Sequence, residues 1–342
     1  MTPSRFREIT SRYPALRLVV AGDFCLDRYF EIDPARPETS IETGRPVHNV
    51  TRVRCQAGAA GTITNNLVAL GVGEIRCVGV AGDDGEGWEL RRALGKLPGM
   101  RLDHFITEAS RQTFTYSKPL VMHPGQPPEE LNRLDQKNWT VAPADLAARV
   151  GAALREALRG ADAATLLEQV DLPDTGALSR RWFTPDSPVR QALESGLVFA
   201  DSRIGLRGWP AVIFKMNAAE LGHLTGAPAG SLAEVKAAAA QLAGNNQRRV
   251  FITLAERGIV SAAPGEAPVH VPALPVRGPI DVVGAGDAVT ANLLAALAAG
   301  ATATEAMQLA MAAAHTVVHQ LGTTGAATVG DLARGVGVEL NA

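Results

Sequence analysis

The sequence predicts an α/β fold in which helices flank a mostly parallel sheet. Apolar runs rich in β-branched residues alternate with alanine-rich stretches along the chain, which is typical of repeated strand–helix units. Of the 342 residues, 46% are hydrophobic, which is enough to fill a continuous core. Because no internal repeat and no linker rich in proline, glycine or serine divides the chain, we expect residues 1–342 to form a single domain.

Six short apolar runs are predicted to form strands, and capping signals mark the helices between them. The predicted strands cover residues 16–21, 75–80, 163–167, 197–200, 211–214 and 250–253, and the predicted helices cover residues 62–70, 143–158 and 231–242. Two alanine-rich helices follow, one starting near Gly286 and one running from Thr302 to Gly322. Ser231 and Thr302 each precede a glutamate by three residues, and this capping-box pattern supports both helix starts.

Residues 41–54 and 112–122 interrupt this alternation and are predicted to form a small β-strand lid. The run TFTYSKPLV, residues 113–121, alternates in polarity as a half-buried antiparallel strand does. The turn-rich residues 124–128, PGQPP, end that strand. We expect the lid to be an insertion in one domain rather than a second domain.

The overall charge argues against several classes of partner. A formal net charge of −2, from 33 basic and 35 acidic residues, provides no broad attraction to nucleic acid or to an anionic membrane. The cysteines Cys25, Cys55 and Cys77 are isolated and odd in number, so we expect neither a disulfide framework nor a zinc site. The longest small and apolar stretch, residues 288–300, is too short to span a bilayer. We therefore expect a cytoplasmic protein that binds anionic ligands locally.

The run DVVGAGD, residues 281–287, carries the most chemical information. Gly284, Ala285 and Gly286 form a turn of small residues that leads into a predicted helix, whose dipole and free amides favour a phosphate. Asp287 in the first turn would repel that phosphate unless its task is to accept the proton of an attacking hydroxyl. The alternative is an aspartate that only caps the helix, and the run by itself does not choose between the two.

DVVGAGD also resembles the D-T-x-G-A-G-D signature of the PfkB/ribokinase family of carbohydrate kinases, with Val282 where threonine is usual. The run AGDFCLD, residues 21–27, is similar to that family's first strand and its following G-D-x-x-x-D, and the resemblance extends over residues 15–335. It implies a ribokinase-like, doubly wound sheet and ATP-dependent phosphorylation of a hydroxyl on a sugar or sugar-like molecule. It also implies ATP and Mg²⁺ as cofactors and Asp287 as general base, with the amides of residues 285–287 stabilising the moving phosphoryl group.

The same resemblance implies binding residues on both sides of Asp287. Asp27, Gly58, Ala59 and Thr62 match substrate-binding positions, and Asn217, Glu220, Thr253 and Gly258 match nucleotide-binding positions, with Glu220 placing Mg²⁺ through water. Asp281, Val283 and Gly322 match positions that hold a monovalent cation, such as K⁺, in many relatives. Ordinary structural roles stay open as alternatives: a strand-end turn for Asp27, a simple turn for Gly58, and a helix first turn capped by Asn217 for Glu220.

Three runs are similar in spacing and type to the kinase half of the bifunctional enzymes that make ADP-heptose. They are AGDFCLDRY at residues 21–29, NRLD at residues 132–135 and VVHQLGT at residues 317–323. None of the seven histidines forms the H-x-G-H pair of the second, nucleotidyltransferase half of those enzymes. We therefore expect kinase chemistry alone.

Several positions depart from the family pattern. Thr62 replaces a usual asparagine, Ala255 replaces a usual glycine of the nucleotide loop, and residues 170–178 lack the lysine of heptose kinases. A further set of basic residues could hold a substrate phosphate instead, but we expect each to be a solvated surface residue: Arg111, Lys118, Arg133 and Arg203.

These departures leave two other functional hypotheses open. One is a regulatory protein that binds a sugar or a nucleotide on the same fold with weakened catalysis, and the other is a kinase for a nucleoside or a vitamin alcohol. Since the lid often forms a dimer contact in relatives, a homodimer through the lid is a further expectation. The sequence does not identify the sugar.

Overall fold

The computed structural model describes residues 1–339, and its main feature is a ten-stranded sheet. The strands are, in chain order, β1 (Arg17–Gly22), β2 (Phe24–Ile32), β3 (Glu38–Thr39), β4 (Pro46–Val47), β5 (Val50–Ala59), β6 (Glu74–Gly82), β7 (Met100–Arg101), β8 (Phe105–Glu108), β9 (Thr115–Val121), β10 (Glu129–Glu130), β11 (Leu134–Gln136), β12 (Ala163–Glu168), β13 (Val198–Ser202), β14 (Ile213–Asn217), β15 (Val250–Thr253), β16 (Ile259–Ala262) and β17 (Val269–Val271). The helices are α1 (Pro3–Thr10), α2 (Ala60–Ala69), α3 (Gly85–Gly95), α4 (Ala144–Leu158), α5 (Pro188–Glu194), α6 (Ala218–Thr225), α7 (Leu232–Asn246), α8 (Ala285–Ala298), α9 (Ala303–Val318) and α10 (Val329–Gly335).

The large sheet is parallel except at one edge. Its strand order is β17-β16-β15-β14-β13-β12-β1-β6-β7, and β8 also pairs with β6. Strand β16 runs antiparallel to both β15 and β17, whereas the other pairs are parallel. The carboxyl ends of the parallel strands therefore lie along one edge, where α/β proteins bind their ligands.

Strand β1 shows why helices cover both faces of this sheet. Leu18 and Val20 pack into one hydrophobic core and Val19 and Ala21 into another, because side chains alternate along a strand. Helices α1, α2, α3, α8, α9 and α10 contribute to the first core, and α4, α5, α6 and α7 contribute to the second. Burial on both faces explains why the strand reads as a continuous apolar run.

The predicted fold class, a mostly parallel α/β sheet flanked by helices, is confirmed. The predicted strand 250–253 coincides with β15, and the other five predicted strands differ from the observed ones by at most three residues at either end. Helices α1 and α3 and the antiparallel strands β16 and β17 were not predicted. The assignment of residues 1–342 to one domain stays a prediction.

A second sheet covers the carboxyl edge of the first sheet and corresponds to the predicted lid. Its order is β10-β9-β2-β5, and β11 also pairs with β9. The expected segment 112–122 contains β9, which is parallel to β2 and antiparallel only to β10 and β11. The expected segment 41–54 contains the short strand β4 and the start of β5, whereas the central lid strand β2 was not expected.

Gly22 is the residue at which the chain passes from the large sheet to the lid. Its φ is +132°, and a Cβ at this position would collide with the carbonyl oxygen of Leu167 on the neighbouring strand. Asp23 then accepts hydrogen bonds from the backbone amides of Gln169 (2.7 Å) and Ala177 (2.8 Å), which fixes the loop after β12. The start of β2 is thus held against the carboxyl edge of the large sheet.

No helix within residues 1–339 combines the length and the apolar character that crossing a membrane requires.

Candidate active site

The turn before α8 forms an anion-binding helix start. Gly284 is the N-cap and adopts a left-handed conformation with φ of +81°. The first helical hydrogen bond joins the Ala288 amide to the Gly284 carbonyl oxygen (2.9 Å), so the amides of Gly286 and Asp287 have no helical acceptor. The Ala285 amide donates to the Val282 carbonyl oxygen (3.2 Å). The Ala285 amide thus already has an acceptor, and stabilisation of a phosphoryl group by the amides of residues 285–287 stays a prediction.

Asp287 lies in the first turn of α8 among other charged groups. Burial by the surrounding protein raises its pKa to about 7, Lys215 opposes this rise, and Asp201 and Asp27 add to it. A carboxyl group with a pKa near 7 can exist in both protonation states at neutral pH. It therefore meets the electrostatic requirement for a general base.

Lys215 and Asp201 form a buried ion pair next to this helix start. The Lys215 Nζ lies 2.6 Å from an Asp201 carboxylate oxygen, and a Cβ placed on Gly286 would lie 3.4 Å from the same Nζ. Burial disfavours the ammonium, but the carboxylates of Asp201, Asp287 and Glu220 outweigh it and raise the Lys215 pKa. The site thus holds a fixed positive charge beside the free amides.

Sequence reasoning missed both members of this pair, although each left a signal. Lys215 interrupts the apolar run AVIFKM, in which its neighbours Phe214 and Met216 are buried. A lysine within a buried strand needs a specific partner. Asp201 follows the apolar residues of β13 at the same sheet edge as Asn217 and Thr253.

On the lid side, Asp27 and Lys118 form a second buried ion pair. Asp27 is in the middle of β2, not in a turn, and lies 2.9 Å from the Lys118 Nζ. The ammonium also lies 3.5 Å from the Tyr29 hydroxyl and 4.9 Å from the centre of the Tyr29 ring. Burial opposes its charge, but Asp27 and Tyr29 raise the Lys118 pKa.

Two of the four basic residues expected at the surface are buried. Lys118 is 8% exposed because it pairs with Asp27, and Arg111 is 7% exposed because it donates to the backbone carbonyl oxygens of Thr140 (3.0 Å) and Thr175. The surface expectation is wrong for both. Arg133 and Arg203 have half-exposed side chains, as expected, and pair with carboxylates on the lid side.

The predicted substrate loop runs from the Asp27–Lys118 pair to the start of α8. A Cβ on Gly58 would collide with the Asp27 carboxylate, so only glycine lets β5 pass so close to it. Ala59 has φ of +53° and ψ of −118°, a strained conformation for alanine. The Thr62 hydroxyl is buried and has no hydrogen-bond partner within the described residues, and its methyl group would lie 3.4 Å from a Cβ on Gly284. The first turn of α2, which directly follows the lid strand β5, therefore reaches the start of α8.

A groove of about 800 Å³ opens on the other side of the α8 start. Asn217, Thr253 and Gly258 line it, together with Gly286. Ala255, which replaces the usual glycine, also lines it and adopts φ of +51°. The chain thus keeps a glycine-like conformation there without the glycine.

Asn217 and Glu220 form a capping box at the start of α6. The Asn217 side chain accepts from the Glu220 amide (2.9 Å), and a Glu220 carboxylate oxygen accepts from the Asn217 amide (2.8 Å). The structural alternative for both residues is therefore real. Burial raises the Glu220 pKa, and the neighbouring Asp201 adds to this. The two carboxylates are oxygen donors of the kind that suits Mg²⁺.

Asp281 joins the turn before α8 to the loop after α9. Its carboxylate accepts from the amides of Val283 (3.0 Å) and Gly322 (3.2 Å), and its own amide donates to the Val318 carbonyl oxygen (2.8 Å). The three residues predicted to hold a monovalent cation therefore lie together.

Comparison with known proteins gives a consistent picture. Residues 210–328 match the family described as pfkB family carbohydrate kinase. The chain is 30% identical over 340 residues to the bifunctional protein HldE of Gluconacetobacter diazotrophicus, covering 96% of this chain and 65% of that protein. It is 33% identical over 316 residues to the HldE protein of Caulobacter sp. strain K31, covering 90% of this chain and 60% of that protein. The chain thus spans about three fifths of the length of these relatives.

Solved structures share the fold at lower identity. Arabidopsis thaliana ribokinase, in a complex with ribose and ATP, aligns with a TM-score of 0.65 at 20% identity, covering 95% of this chain and 99% of that one. Escherichia coli phosphofructokinase-2, in a complex with potassium, aligns with a TM-score of 0.69 at 17% identity, covering 94% of this chain and 98% of that one. The ribokinase-like fold expected from the sequence is confirmed.

Proposed function

We propose that this chain, which matches the pfkB family of carbohydrate kinases over residues 210–328, transfers the terminal phosphate of ATP to a hydroxyl of a sugar or sugar-like molecule. The observation that carries this proposal is the position of Asp287 between two compartments. On one side lie Asp27 and Thr62 under the lid, and on the other lies the groove lined by Thr253 and Gly258. A base at this junction can serve a hydroxyl from one side and a phosphate from the other.

The acceptor binds between the lid and the α8 start in this proposal. The Asp27 carboxylate accepts hydrogen bonds from acceptor hydroxyls, and Gly58 and Ala59 let the backbone approach the ligand closely. The Thr62 hydroxyl, which has no partner among residues 1–339, supplies a further hydrogen bond. The lid excludes water from the reacting groups.

Phosphoryl transfer follows from the charges at the α8 start. Asp287 accepts the proton of the attacking hydroxyl, whose oxygen forms the new bond to phosphorus while the bond to the ADP leaving group breaks. The amides of Gly286 and Asp287 and the Lys215 ammonium stabilise the charge of the moving phosphoryl group. Mg²⁺, when bound with ATP near Glu220 and Asp201, supplies further positive charge to the phosphate oxygens.

Three further features of the proposal concern the surroundings of the site. A monovalent cation binds at Asp281, Val283 and Gly322. The Asp281 carboxylate, which already joins the turn before α8 to the loop after α9, supplies the negative charge that such a cation needs. The edge strand β5 exposes Val50 and Val53 and supports a homodimer through the lid. The three cysteines are free thiols, in agreement with a cytoplasmic location.

The test is ATP consumption by the purified protein with Mg²⁺ across a panel of sugars, sugar phosphates, nucleosides and vitamin alcohols. We expect turnover with at least one sugar, and we expect Asp287→Asn to lower kcat by about a thousandfold or more while acceptor binding persists. Activity should fall as the pH drops through about 7, because protonated Asp287 cannot accept a proton.

The control is Asp145→Asn. Asp145 also lies in the first turn of a helix, but it is distant from Asp287 in the sequence and its side chain is exposed. Asp145→Asn should keep activity within about twofold.

Because burial raises the pKa of Asp287, its ionised form costs folding stability above pH 7, so Asp287→Asn should unfold at no lower temperature than the wild type at pH 8. Near wild-type turnover by Asp287→Asn, or binding without turnover across the whole panel, contradicts the proposal.

A further inference from the structure

Helix α9 forms one wall of the groove. The α9 residues that line the groove are Met311, Ala314, His315 and Val318. His315 is the one polar side chain among these four. A flat apolar ligand that enters here therefore meets a single hydrogen-bonding side chain on this wall.

A second wall is the segment that connects β17 to α8. Its lining residues include Leu274, Pro275, Val276, Ile280 and Val282, all of them apolar. Val276, Ile280 and Val282 remain 42%, 46% and 68% exposed. Two apolar walls with exposed side chains suit the faces of an aromatic base, and base-specific recognition then depends on polar groups at the base edge.

The two nitrogens of His315 have different environments. Nδ1 is buried and has no hydrogen-bond partner within the described part of the chain, whereas Nε2 is neither buried nor bonded there. A proton on Nδ1 would create a buried donor without an acceptor, so the neutral tautomer protonated on Nε2 is favoured. Burial, with a smaller contribution from His319, lowers the His315 pKa and favours the neutral ring. The accessible nitrogen is therefore a donor.

The neighbouring His319 has a different task. Its Nδ1 lies 2.7 Å from the His315 carbonyl oxygen, and its Nε2 lies 3.1 Å from the Arg277 carbonyl oxygen in the segment that forms the second wall. The two imidazole rings are 4.7 Å apart at an interplanar angle of 61°. His319 thus ties the two walls together and supports the His315 ring, while His315 itself stays available to a ligand.

We propose that His315 recognises the nucleobase of the phosphate donor by donating its Nε2 hydrogen to a ring nitrogen of a purine. The inference rests on the nucleotide groove of the proposed function and adds a base-reading residue to it. The ring nitrogens of purines at positions 1, 3 and 7 are acceptors in adenine, and each can be replaced by a carbon without changing the shape of the base.

The experiment measures binding of ADP and of its 1-deaza, 3-deaza and 7-deaza analogues by calorimetry, which needs no knowledge of the sugar. The proteins are the wild type, His315→Leu, His315→Gln and the control Thr316→Val, which lies on the same helix outside the groove lining. We expect His315→Leu to weaken ADP binding by about 3- to 10-fold, the effect of one hydrogen bond. His315→Gln places an amide donor near the Nε2 position and should stay within about 3-fold of the wild type, as should Thr316→Val.

The analogues distinguish a hydrogen bond from mere packing. One deaza analogue should bind the wild type about 3- to 10-fold more weakly than ADP, and that difference should vanish in His315→Leu. Unchanged ADP affinity in His315→Leu, or equal weakening of all four ligands, would overturn the assignment and leave the kinase proposal intact. If the wild type binds no ADP, the nucleotide groove and the kinase proposal fall with it.

Discussion

Two buried lysine–aspartate pairs flank the reacting groups, and they differ in the sheet that holds them. Lys215 and Asp201 project from adjacent parallel strands of the ten-stranded sheet, with 2.6 Å between the charged atoms. Lys118 and Asp27 project from adjacent strands of the lid, with 2.9 Å between them. The first pair belongs to the ten-stranded sheet, whereas the second belongs to the smaller sheet that covers the site.

The difference teaches how the two sides of the site prepare for a ligand. The charge of Lys215 stands beside the free amides of α8 before any phosphate arrives, which is preorganisation of the transfer side. The Asp27 carboxylate has a charged partner at one of its oxygens, Lys118, so an acceptor hydroxyl binds beside an existing ion pair. The acceptor therefore meets a carboxylate that is paired with a lysine, whereas the moving phosphoryl group meets a lysine that is paired with a carboxylate.

Among variants of the two lysine–aspartate pairs, the largest effect is expected from Lys215→Met. It removes a charge next to the moving phosphoryl group, so kcat should fall by about a hundredfold or more. Because Lys215 opposes the rise of the Asp287 pKa, its loss should also move the acid limb of the pH–rate profile to higher pH. Steady-state kinetics across pH 5.5–9, a range chosen around the Asp287 pKa of about 7, measure both effects.

Two further variants control for folding in that experiment. Lys215→Met alone leaves Asp201 as an unpaired buried carboxylate, and the double variant with Asp201→Asn removes that penalty, so the double variant should unfold at a higher temperature than the single one. Lys96→Met removes an exposed lysine and should change neither rate nor pH profile. An acid limb that stays in place in Lys215→Met would show that the two groups are not coupled.

A smaller and different effect is expected from Lys118→Met. Since Lys118 holds Asp27 in place, the acceptor KM should rise by about 10- to 100-fold while ADP affinity stays within twofold. Lys118→Arg keeps the charge and should recover most of the loss. A fall in kcat at unchanged acceptor KM would instead place Lys118 on the transfer side and remove the contrast between the two pairs.

The sequence predicted those parts of the molecule that depend on local patterns. The apolar runs of β1 and β15 and the capping boxes at Ser231 and Thr302 are local, because a buried strand needs several adjacent apolar residues and a helix start needs a side-chain acceptor. The α8 start was predicted for the same reason, since the small residues 284–286 lead into an alanine-rich helix, and the amides of Gly286 and Asp287 have no helical acceptor.

The parts that escaped prediction depend on contacts between distant segments. Strand β2 was missed because Asp27 and Arg28 are polar, and only its pairing with β5 and β9 makes the segment a strand. Lys118 and Lys215 were missed because a lysine is exposed by default, and the carboxylates that bury them lie on other strands. The hydrogen bond from the Ala285 amide to the Val282 carbonyl oxygen depends on the turn geometry, which the amino-acid sequence alone does not specify.

The smallest effect concerns Ala255, whose departure from the family pattern suggested weakened catalysis. Its φ of +51° costs an alanine about 1 kcal/mol, whereas glycine adopts this conformation without strain. Glycine also increases the entropy of the unfolded chain, so Ala255→Gly should raise the free energy of unfolding by about 1 kcal/mol or less. The matched control is Ala267→Gly in an exposed loop without a positive φ, which should lower that free energy by a similar amount in denaturant-unfolding measurements.

Since Ala255 already has the backbone that glycine would adopt, the ADP affinity of Ala255→Gly, measured by calorimetry, should stay within twofold of the wild type. A large gain in ADP affinity would mean that the alanine methyl group itself obstructs the groove, which would return the hypothesis of a weakened, regulatory protein to consideration.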